Sequence, residues 1–223
     1  MEQGVRMVKS LSDTPIVYSL SLEIFSDFNC IWCYFDKMSV KRLIREYAIR
    51  VVWRAFPLHP DLPEGELPIE HLFGNNIPLM TEKMRQLESK AAMLGLPLAK
   101  RTTISDSRLA QELAKWTETK GKLEAYHDAV YEAYFAAGLN IADQSVLLDI
   151  AGLLELSREE AKSVLEKRSF SQAVDDDWAR SEKLNIMVAP TYILNQFRLA
   201  GSQSFEKLEQ LLQKNGVAQI NTP

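Results

Sequence analysis

The chain has 223 residues, of which 46% are hydrophobic and 25% charged, and its formal net charge is -4. This composition is typical of a globular protein with one large domain, or one domain that carries an insertion. The negative charge supplies no basic field to attract nucleic acid, and no apolar run approaches the roughly 18–20 residues of a membrane span. We therefore expect neither a nucleic-acid nor a membrane partner.

The N-terminal sequence and the cysteine count bear on the compartment. Residues 1–14 are polar and predict a loose leader without the apolar core of a signal peptide. The chain has two cysteines, both in one motif, which is not the pattern of a secreted scaffold held by disulfides. These features predict a cytoplasmic protein in which a disulfide is transient and catalytic rather than structural.

The first predicted elements flank the two cysteines. Apolar and polar residues alternate in the strand predicted over residues 16–25, and an amphipathic pattern predicts a helix over residues 33–48. Cys30 and Cys33 lie at the junction, two residues apart. A helix N-terminus presents unpaired N–H groups and a positive dipole end, which favour a thiolate over a thiol. The pattern therefore predicts a redox pair in which Cys30 is the ionised nucleophile and Cys33 resolves the mixed disulfide.

Two other interpretations of the cysteine pair are open. A structural zinc site needs four ligands, and His59, His71 and His127 lack the spacing of zinc ligands, so we expect no metal. Two unrelated, half-buried thiols are the remaining alternative. Of the histidines, His59 could reach the active site, but we expect it to face solvent from a loop, and we expect His127 to pack in the core.

A βαβ unit and a helical block follow. Residues 49–56 are β-branched and aromatic and predict a second strand, parallel to the first because a helix joins the two. From about residue 67 to residue 170 the pattern is helical, with no convincing strand. Helices are predicted at residues 79–94, 107–120, 123–137 and 143–151, and Ser157 begins a further one with a capping box.

The last fifty residues return to an α/β pattern. A helix is predicted over residues 171–185, an antiparallel hairpin from strands 186–194 and 197–200, and a terminal helix over residues 205–214. Pro190 lies in a strand whose pattern is otherwise buried. The residues alone fit either a cis bond after Ala189 in a tight turn or a trans proline on an edge strand.

Four segments resemble one known family. Residues 26–34, SDFNCIWCY, are similar to the SDFxCPWCY motif of the FrnE-type branch of the DsbA-like thioredoxin-fold oxidoreductases. Residues 52–60, VWRAFPLHP, and the pair VAPTY and LAGSQ, at 188–192 and 199–203, resemble further elements of that branch. The resemblance implies an α/β thioredoxin fold formed by residues 15–62 and 171–216, with an all-helical insertion domain at 63–170.

The resemblance also implies a function. It indicates a thiol–disulfide oxidoreductase or isomerase in which Pro190 is cis and faces the Cys30 sulfur, while the Ala189 backbone pairs with an extended substrate. Trp32 either supplies apolar surface for the substrate or simply packs. The expected partner is a protein or small molecule with a thiol or disulfide. No metal or organic cofactor is expected, although glutathione or thioredoxin are candidates for recycling the protein, and the oligomeric state is left open.

The chain departs from the family pattern in and near the motif. Ile31 replaces the proline between the cysteines, and Ala189 replaces a valine; both changes leave the direction of electron flow open. Ile24 occupies the position six residues before Cys30, where many thioredoxin-like proteins carry a buried carboxylate. Asp27 is only a weak substitute for that carboxylate.

Two other functions remain open at this stage. The first is a glutathione-dependent enzyme that resembles kappa-class glutathione transferases and hydroxychromene carboxylate isomerases, which use a serine near the position of Cys30. The second is a binding module with a redox-silent cysteine pair, in which the helical block holds a peptide or an acyl ligand.

Overall fold

The computed structural model describes residues 20–74 and 76–220. The predicted leader and residues 16–19 of the first predicted strand lie outside these ranges. In chain order the strands are β1 (Leu20–Ser26), β2 (Ile49–Ala55), β3 (Glu66–Pro68), β4 (Thr103–Ser105), β5 (Thr191–Leu194) and β6 (Phe197–Ala200). The α-helices are α1 (Ile31–Glu46), α2 (Ile77–Met93), α3 (Arg108–Thr119), α4 (Leu123–Tyr131), α5 (Gln144–Leu153), α6 (Arg158–Glu166), α7 (Ser171–Lys183) and α8 (Phe205–Lys214).

Four strands form one mixed sheet in the order β2-β1-β5-β6. β1 and β2 are parallel, with Leu20 opposite Ile49, and α1 connects them. β5 runs antiparallel to both β1 and β6, so the last two strands form a hairpin. The predicted βαβ unit and hairpin are therefore confirmed. Together with the intervening helices they make an α/β thioredoxin fold with a helical insertion.

Both faces of β1 are covered toward its end. Ile24 is 1% exposed and belongs to an apolar cluster with residues of α1 and α8. Its neighbour Phe25 is fully buried on the opposite face, in a second cluster that extends into the insertion. At the end of the strand, residues on both faces are buried, so buried and exposed side chains no longer alternate. The segment after β1 therefore lies between the two clusters.

The segment between β2 and α7 was predicted to be all-helical; it is mainly helical, but it also holds a two-stranded ribbon. β3 pairs antiparallel with β4, with Leu67 opposite Ile104. The sequence showed no convincing strand here, because three-residue strands are too short for a period of two to be visible. The predicted helix over residues 123–137 is also interrupted, since residues 132–136 continue α4 as a π-helix. The boundaries proposed for the insertion, 63–170, stay a prediction.

Helix caps confirm two predicted starts. The Ser157 hydroxyl accepts a hydrogen bond from the N–H of Glu160 at 3.2 Å, and the Asp143 side chain likewise caps α5. Each such bond satisfies one backbone donor that the first turn leaves free. The helical periods and caps of this region could therefore be predicted locally.

Buried ion pairs join the helices to one another and to the sheet. The Glu112 carboxylate on α3 is buried and accepts hydrogen bonds from Arg108 at 2.8 Å and Arg168 at 2.7 Å. Asp177 on α7 accepts the backbone N–H of Ala55 at 2.9 Å. Since a buried charge must be paired, these contacts hold α3 against the segment that follows α6, and they hold α7 against β2.

Within residues 20–74 and 76–220, no helix has both the length and the apolar character needed to cross a membrane.

Candidate active site

Cys30 is the N-cap residue of α1. After β1 the chain turns, and the Cys30 N–H donates to the Asp27 carbonyl oxygen at 3.0 Å. The Cys30 sulfur accepts a hydrogen bond from the N–H of Cys33 at 3.3 Å. The sulfur thus takes the place of the hydroxyl or carboxylate oxygen of an ordinary N-cap. Backbone N–H donors and the positive end of the helix dipole both stabilise a negative sulfur at this position.

Cys33 lies one turn further along the helix and has a different environment. Its side chain is 6% exposed. Burial raises the pKa of the Cys33 thiol well above its usual range, and the hydrogen bond with the Cys30 sulfur raises it further. Both cysteines are reduced in this structure. The two thiols are therefore unequal, and Cys33 retains its proton at neutral pH.

The turn before β5 faces Cys30. The peptide bond between Ala189 and Pro190 is cis. The Cys30 thiol donates to the carbonyl oxygen of Ala189 at 3.2 Å. The Thr191 hydroxyl donates back to the carbonyl oxygen of Val188 at 2.7 Å. The turn thus brings residues 159 positions apart in sequence, Cys30 and Ala189, into contact.

Asp36 connects the cysteine helix to the hairpin, a role that the sequence did not reveal. Its side chain is 4% exposed. Its carboxylate accepts hydrogen bonds from the Tyr192 hydroxyl at 2.7 Å and from the N–H of Gln203 at 2.9 Å, and it also contacts the Ser202 hydroxyl. Tyr192 lies in the VAPTY segment and the other two residues in LAGSQ. Two of the segments quoted for the family resemblance therefore meet on one carboxylate of α1.

Asp27 is a second buried carboxyl group next to the cysteines. It is 2% exposed, and burial raises its pKa to about 6. Its two oxygens accept the N–H groups of Asn29 at 2.9 Å and Leu58 at 3.0 Å. Its charge also acts on Cys33 and opposes ionisation of that thiol. The sequence shows that Asp27 lies three residues before Cys30, but it does not show that the side chain is buried.

A large cavity opens beside Cys30. Its volume is about 550 Å³, and its walls come from the start of α1, the ribbon, α2, the π-helix and the loop before β4. Of the predicted site residues, Cys30, Trp32 and Ala189 line it. Cys33 and Pro190 are not lining residues; they lie behind Cys30 and beside Ala189, respectively. A space of this size is within the range of about 300–1,000 Å³ typical of small-molecule sites.

Trp32 contributes an exposed aromatic face to this region. Its side chain is 41% exposed, although it packs edge-on against Phe35 at 5.8 Å between ring centroids. The Lys90 ammonium lies 5.2 Å from the centroid of the indole ring. Trp32 is therefore both partly packed and available for contact with a ligand.

The histidines lie in different surroundings. His59 lines the cavity and is half-buried, so the expectation that it faces open solvent was wrong; burial lowers its pKa, and the imidazole is neutral at pH 7. His127 packs between the rings of Phe28 and Trp53, at centroid distances of 4.9 Å and 4.2 Å, in agreement with the predicted core role. In the described part of the chain, no three or more His, Cys, Asp or Glu residues are arranged to hold a metal ion.

The fold and the cysteine site define a class of protein. Residues 21–213 match the family described as the DSBA-like thioredoxin domain, and the chain belongs to this family. The match includes both cysteines, the insertion and the hairpin.

Particular relatives show how far the similarity extends. The chain is 25% identical over 199 residues to the uncharacterized protein YwbO of Bacillus subtilis, covering 85% of this chain and 95% of YwbO. Among solved structures it resembles a probable DsbA oxidoreductase, SCO1869, from Streptomyces coelicolor, with a TM-score of 0.78, 24% identity and 92% coverage of both chains. It also resembles a 2-hydroxychromene-2-carboxylate isomerase, with a TM-score of 0.70, 16% identity and coverage of 88% of this chain and 94% of that one.

Proposed function

We propose that the protein is a thiol–disulfide oxidoreductase that uses Cys30 as its nucleophile. The observation that carries this proposal is the position of the Cys30 sulfur, 3.3 Å from the N–H of Cys33 and 3.2 Å from the carbonyl oxygen of Ala189. The first contact stabilises the thiolate, while the second holds the sulfur toward the turn before β5 when it is protonated. Family membership agrees with this chemistry.

In the reducing direction the reaction has two exchanges. The Cys30 thiolate attacks one sulfur of a substrate disulfide, that disulfide breaks, and one substrate sulfur leaves as a thiolate while a mixed disulfide forms on Cys30. Cys33 then gives its proton to the departing thiolate and attacks the Cys30 sulfur, which releases the second substrate sulfur. The protein has then transferred two electrons to the substrate and holds a Cys30–Cys33 disulfide. The reverse sequence oxidises a substrate dithiol.

The neighbouring residues have proposed roles in holding the substrate. Once the Cys30 proton is lost, the Ala189 carbonyl oxygen is available to a backbone N–H of an extended substrate, as in strand addition. Pro190 shapes this turn, and Trp32 offers apolar contact. No cofactor takes part in the exchange itself, and glutathione or thioredoxin are the proposed recycling partners.

Placement in the cytoplasm and in the FrnE-type branch also belong to this proposal. They rest on the two cysteines in one motif and on the SDFNCIWCY resemblance.

Trapping the mixed disulfide tests the proposal. After incubation with oxidised glutathione, intact-mass spectrometry should find one glutathionyl group on most of the Cys33→Ser protein, since Cys30 attacks and nothing resolves the product. The Cys30→Ser protein should remain largely unmodified, because its remaining thiol is buried and protonated. The wild-type protein should carry an internal disulfide. Equal modification of the two variants would contradict the assigned roles.

A glutathione-dependent transferase or isomerase is the second candidate. The fold shared with the hydroxychromene carboxylate isomerase and the cavity beside Cys30 favour it. In that case glutathione is a co-substrate and Cys33 has no chemical role. A glutathione-conjugation assay therefore separates the two functions: a transferase should conjugate glutathione and keep this activity in Cys33→Ser. A disulfide oxidoreductase should not conjugate glutathione, and its disulfide turnover should be lost in Cys33→Ser.

The redox-silent binding module is tested by alkylation. An exchange enzyme should react with iodoacetamide at Cys30 at neutral pH faster than a free thiol does. For a silent pair, alkylation should be slow in the folded protein at both cysteines.

A further inference from the structure

The cavity beside Cys30 has walls that suit an apolar molecule. Cys30 is only 2% exposed, so a substrate sulfur must approach through the space that Cys30 lines. Aliphatic and aromatic side chains dominate the surrounding surface. They include Leu58, Ile69, Phe73, Met84, Leu87 and Leu98. Burial of a ligand against this surface gains roughly 25 cal/mol per Å² of apolar area removed from water.

The charged groups of the cavity are not balanced. Lys100 and Arg101 line it and bring two positive charges, whereas Glu88 brings one negative charge. Apart from Cys30 itself, the other titratable lining groups are His59 and Tyr134; both are neutral at pH 7, since burial lowers the pKa of the imidazole and raises that of the phenol. The walls of the cavity therefore carry a positive excess on a chain whose net charge is -4.

Arg101 is fixed in position without an ion pair, although the charge of the nearby Glu66 carboxylate acts on it. Its guanidinium donates to the carbonyl oxygen of Thr103 at 2.9 Å and lies 3.1 Å from the ring centroid of Tyr134. None of the ion pairs within residues 20–74 and 76–220 includes Arg101 or Lys100. A guanidinium held by stacking keeps N–H groups for an incoming carboxylate, which it binds with defined geometry.

We infer that this cavity takes a small apolar disulfide that carries a carboxylate. The apolar body lies against the walls from α2 and the π-helix, the carboxylate lies at Arg101 and Lys100, and one sulfur reaches Cys30. This inference rests on the proposed exchange at Cys30 and specifies its substrate class. The Cys30 thiolate displaces one carboxylate-bearing thiolate, and Cys33 then displaces the second. The protein loses two electrons and the disulfide gains them; the Cys33 proton passes to one released thiolate, and the other product leaves as a thiolate.

Two aromatic disulfides provide matched probes. 5,5′-Dithiobis(2-nitrobenzoate) carries carboxylates, and 4,4′-dithiodipyridine carries none; both release a coloured product. Stopped-flow measurements at pH 7 on the reduced protein give a rate constant for each probe, and division by the value for free glutathione removes the intrinsic reactivity of the probe. The ratio of the two normalised rate constants reports selectivity for the carboxylate.

The variants test the cationic pair directly. In Arg101→Gln and in Lys100→Gln the ratio should fall, on the order of tenfold for the arginine, the effect expected from loss of a charge-assisted hydrogen bond. Lys183→Gln removes the same charge from an exposed position that does not line the cavity, and it should leave the ratio unchanged. Lys100 is exposed, so its variant decides the question if loss of the stacking on Tyr134 prevents Arg101→Gln from folding.

The outcomes separate this inference from the proposed function. If both probes react rapidly and all variants share the wild-type ratio, the carboxylate site is wrong while exchange at Cys30 stands. If the ratio of the normalised rate constants falls equally in Lys183→Gln, the effect comes from the overall charge of the protein, and the inference is again overturned. If neither probe reacts with the folded wild-type protein, the proposed function fails, and the substrate class fails with it.

Discussion

Asp27 has a carboxyl group buried three residues before Cys30. Desolvation raises its pKa from 3.8 to about 6, although hydrogen bonds from the backbone N–H groups of Asn29 and Leu58 favour the charged form. At pH 7 the folded protein therefore holds an ionised carboxylate in an unfavourable environment. The two hydrogen bonds from backbone N–H groups explain why a carboxylate is tolerated here. A neutral side chain of another shape would leave these two N–H groups without partners.

The raised pKa of Asp27 predicts a pH dependence of stability. The pKa of Asp27 is higher in the folded protein than in the unfolded chain, so the protonated carboxyl group favours the folded state. This contribution to the free energy of unfolding is fully present below about pH 4 and is lost as the pH rises through 6. A pKa shift of this size lowers the free energy of unfolding by roughly 3 kcal/mol between these limits. Urea unfolding of the wild-type protein and of Asp27→Asn at pH 4, 5, 6 and 7 measures it.

Asp27→Asn isolates this group from the other carboxyls of the chain. The variant cannot ionise, so its free energy of unfolding should fall less between pH 4 and pH 7 than that of the wild-type protein. An identical decline in the two proteins would assign the pH dependence to other groups.

At the scale of the elements, α1 and the hairpin of β5 and β6 act as one unit. The Asp36 carboxylate joins them through Tyr192, Ser202 and Gln203. Cys30 and Cys33 belong to α1, while Ala189 immediately precedes the hairpin. The distance between the Cys30 sulfur and the Ala189 carbonyl oxygen therefore depends on how firmly these two elements are held together.

Loss of Asp36 should weaken both stability and exchange. Asp36→Ala leaves the Tyr192 hydroxyl and the Gln203 N–H buried without an acceptor, at a cost of about 2–4 kcal/mol in the free energy of unfolding. Urea unfolding measures the first effect, and the rate of mixed-disulfide formation under native conditions measures the second. Asp61→Ala, in an exposed loop after β2, is the matched control and should match the wild type in both measurements. Wild-type values for Asp36→Ala would show that the link is dispensable.

At the scale of the whole molecule, local patterns predicted the elements that form from nearby residues. Three of these patterns are visible within a few residues: the alternation before Phe25, the amphipathic period after Cys33 and the two-residue connection at Asn195. The capping box at Ser157 belongs to the same class of signal. Since the order of these elements defines the topology, the α/β fold and the position of the cysteine pair could be predicted.

Contacts between distant segments could not be predicted in the same way. Asp36 and Gln203 are 167 positions apart, and an aspartate on an amphipathic helix gives no sign of its partner. The strands of the β3–β4 ribbon are too short to show a period. The cavity exists only where the ribbon, α2 and the π-helix face the start of α1, so neither its volume nor the position of Arg101 is visible in any one segment.

The central claim is that Cys30 and Cys33 form one two-electron couple. Equilibration of the wild-type protein in glutathione buffers of graded potential, followed by acid quenching and thiol counting, tests it most directly. Both thiols should disappear together in a single two-electron transition, with an internal disulfide as the product. Two thiols that persist at every potential, or a protein that accumulates glutathione on Cys30 without closing the disulfide, would contradict it.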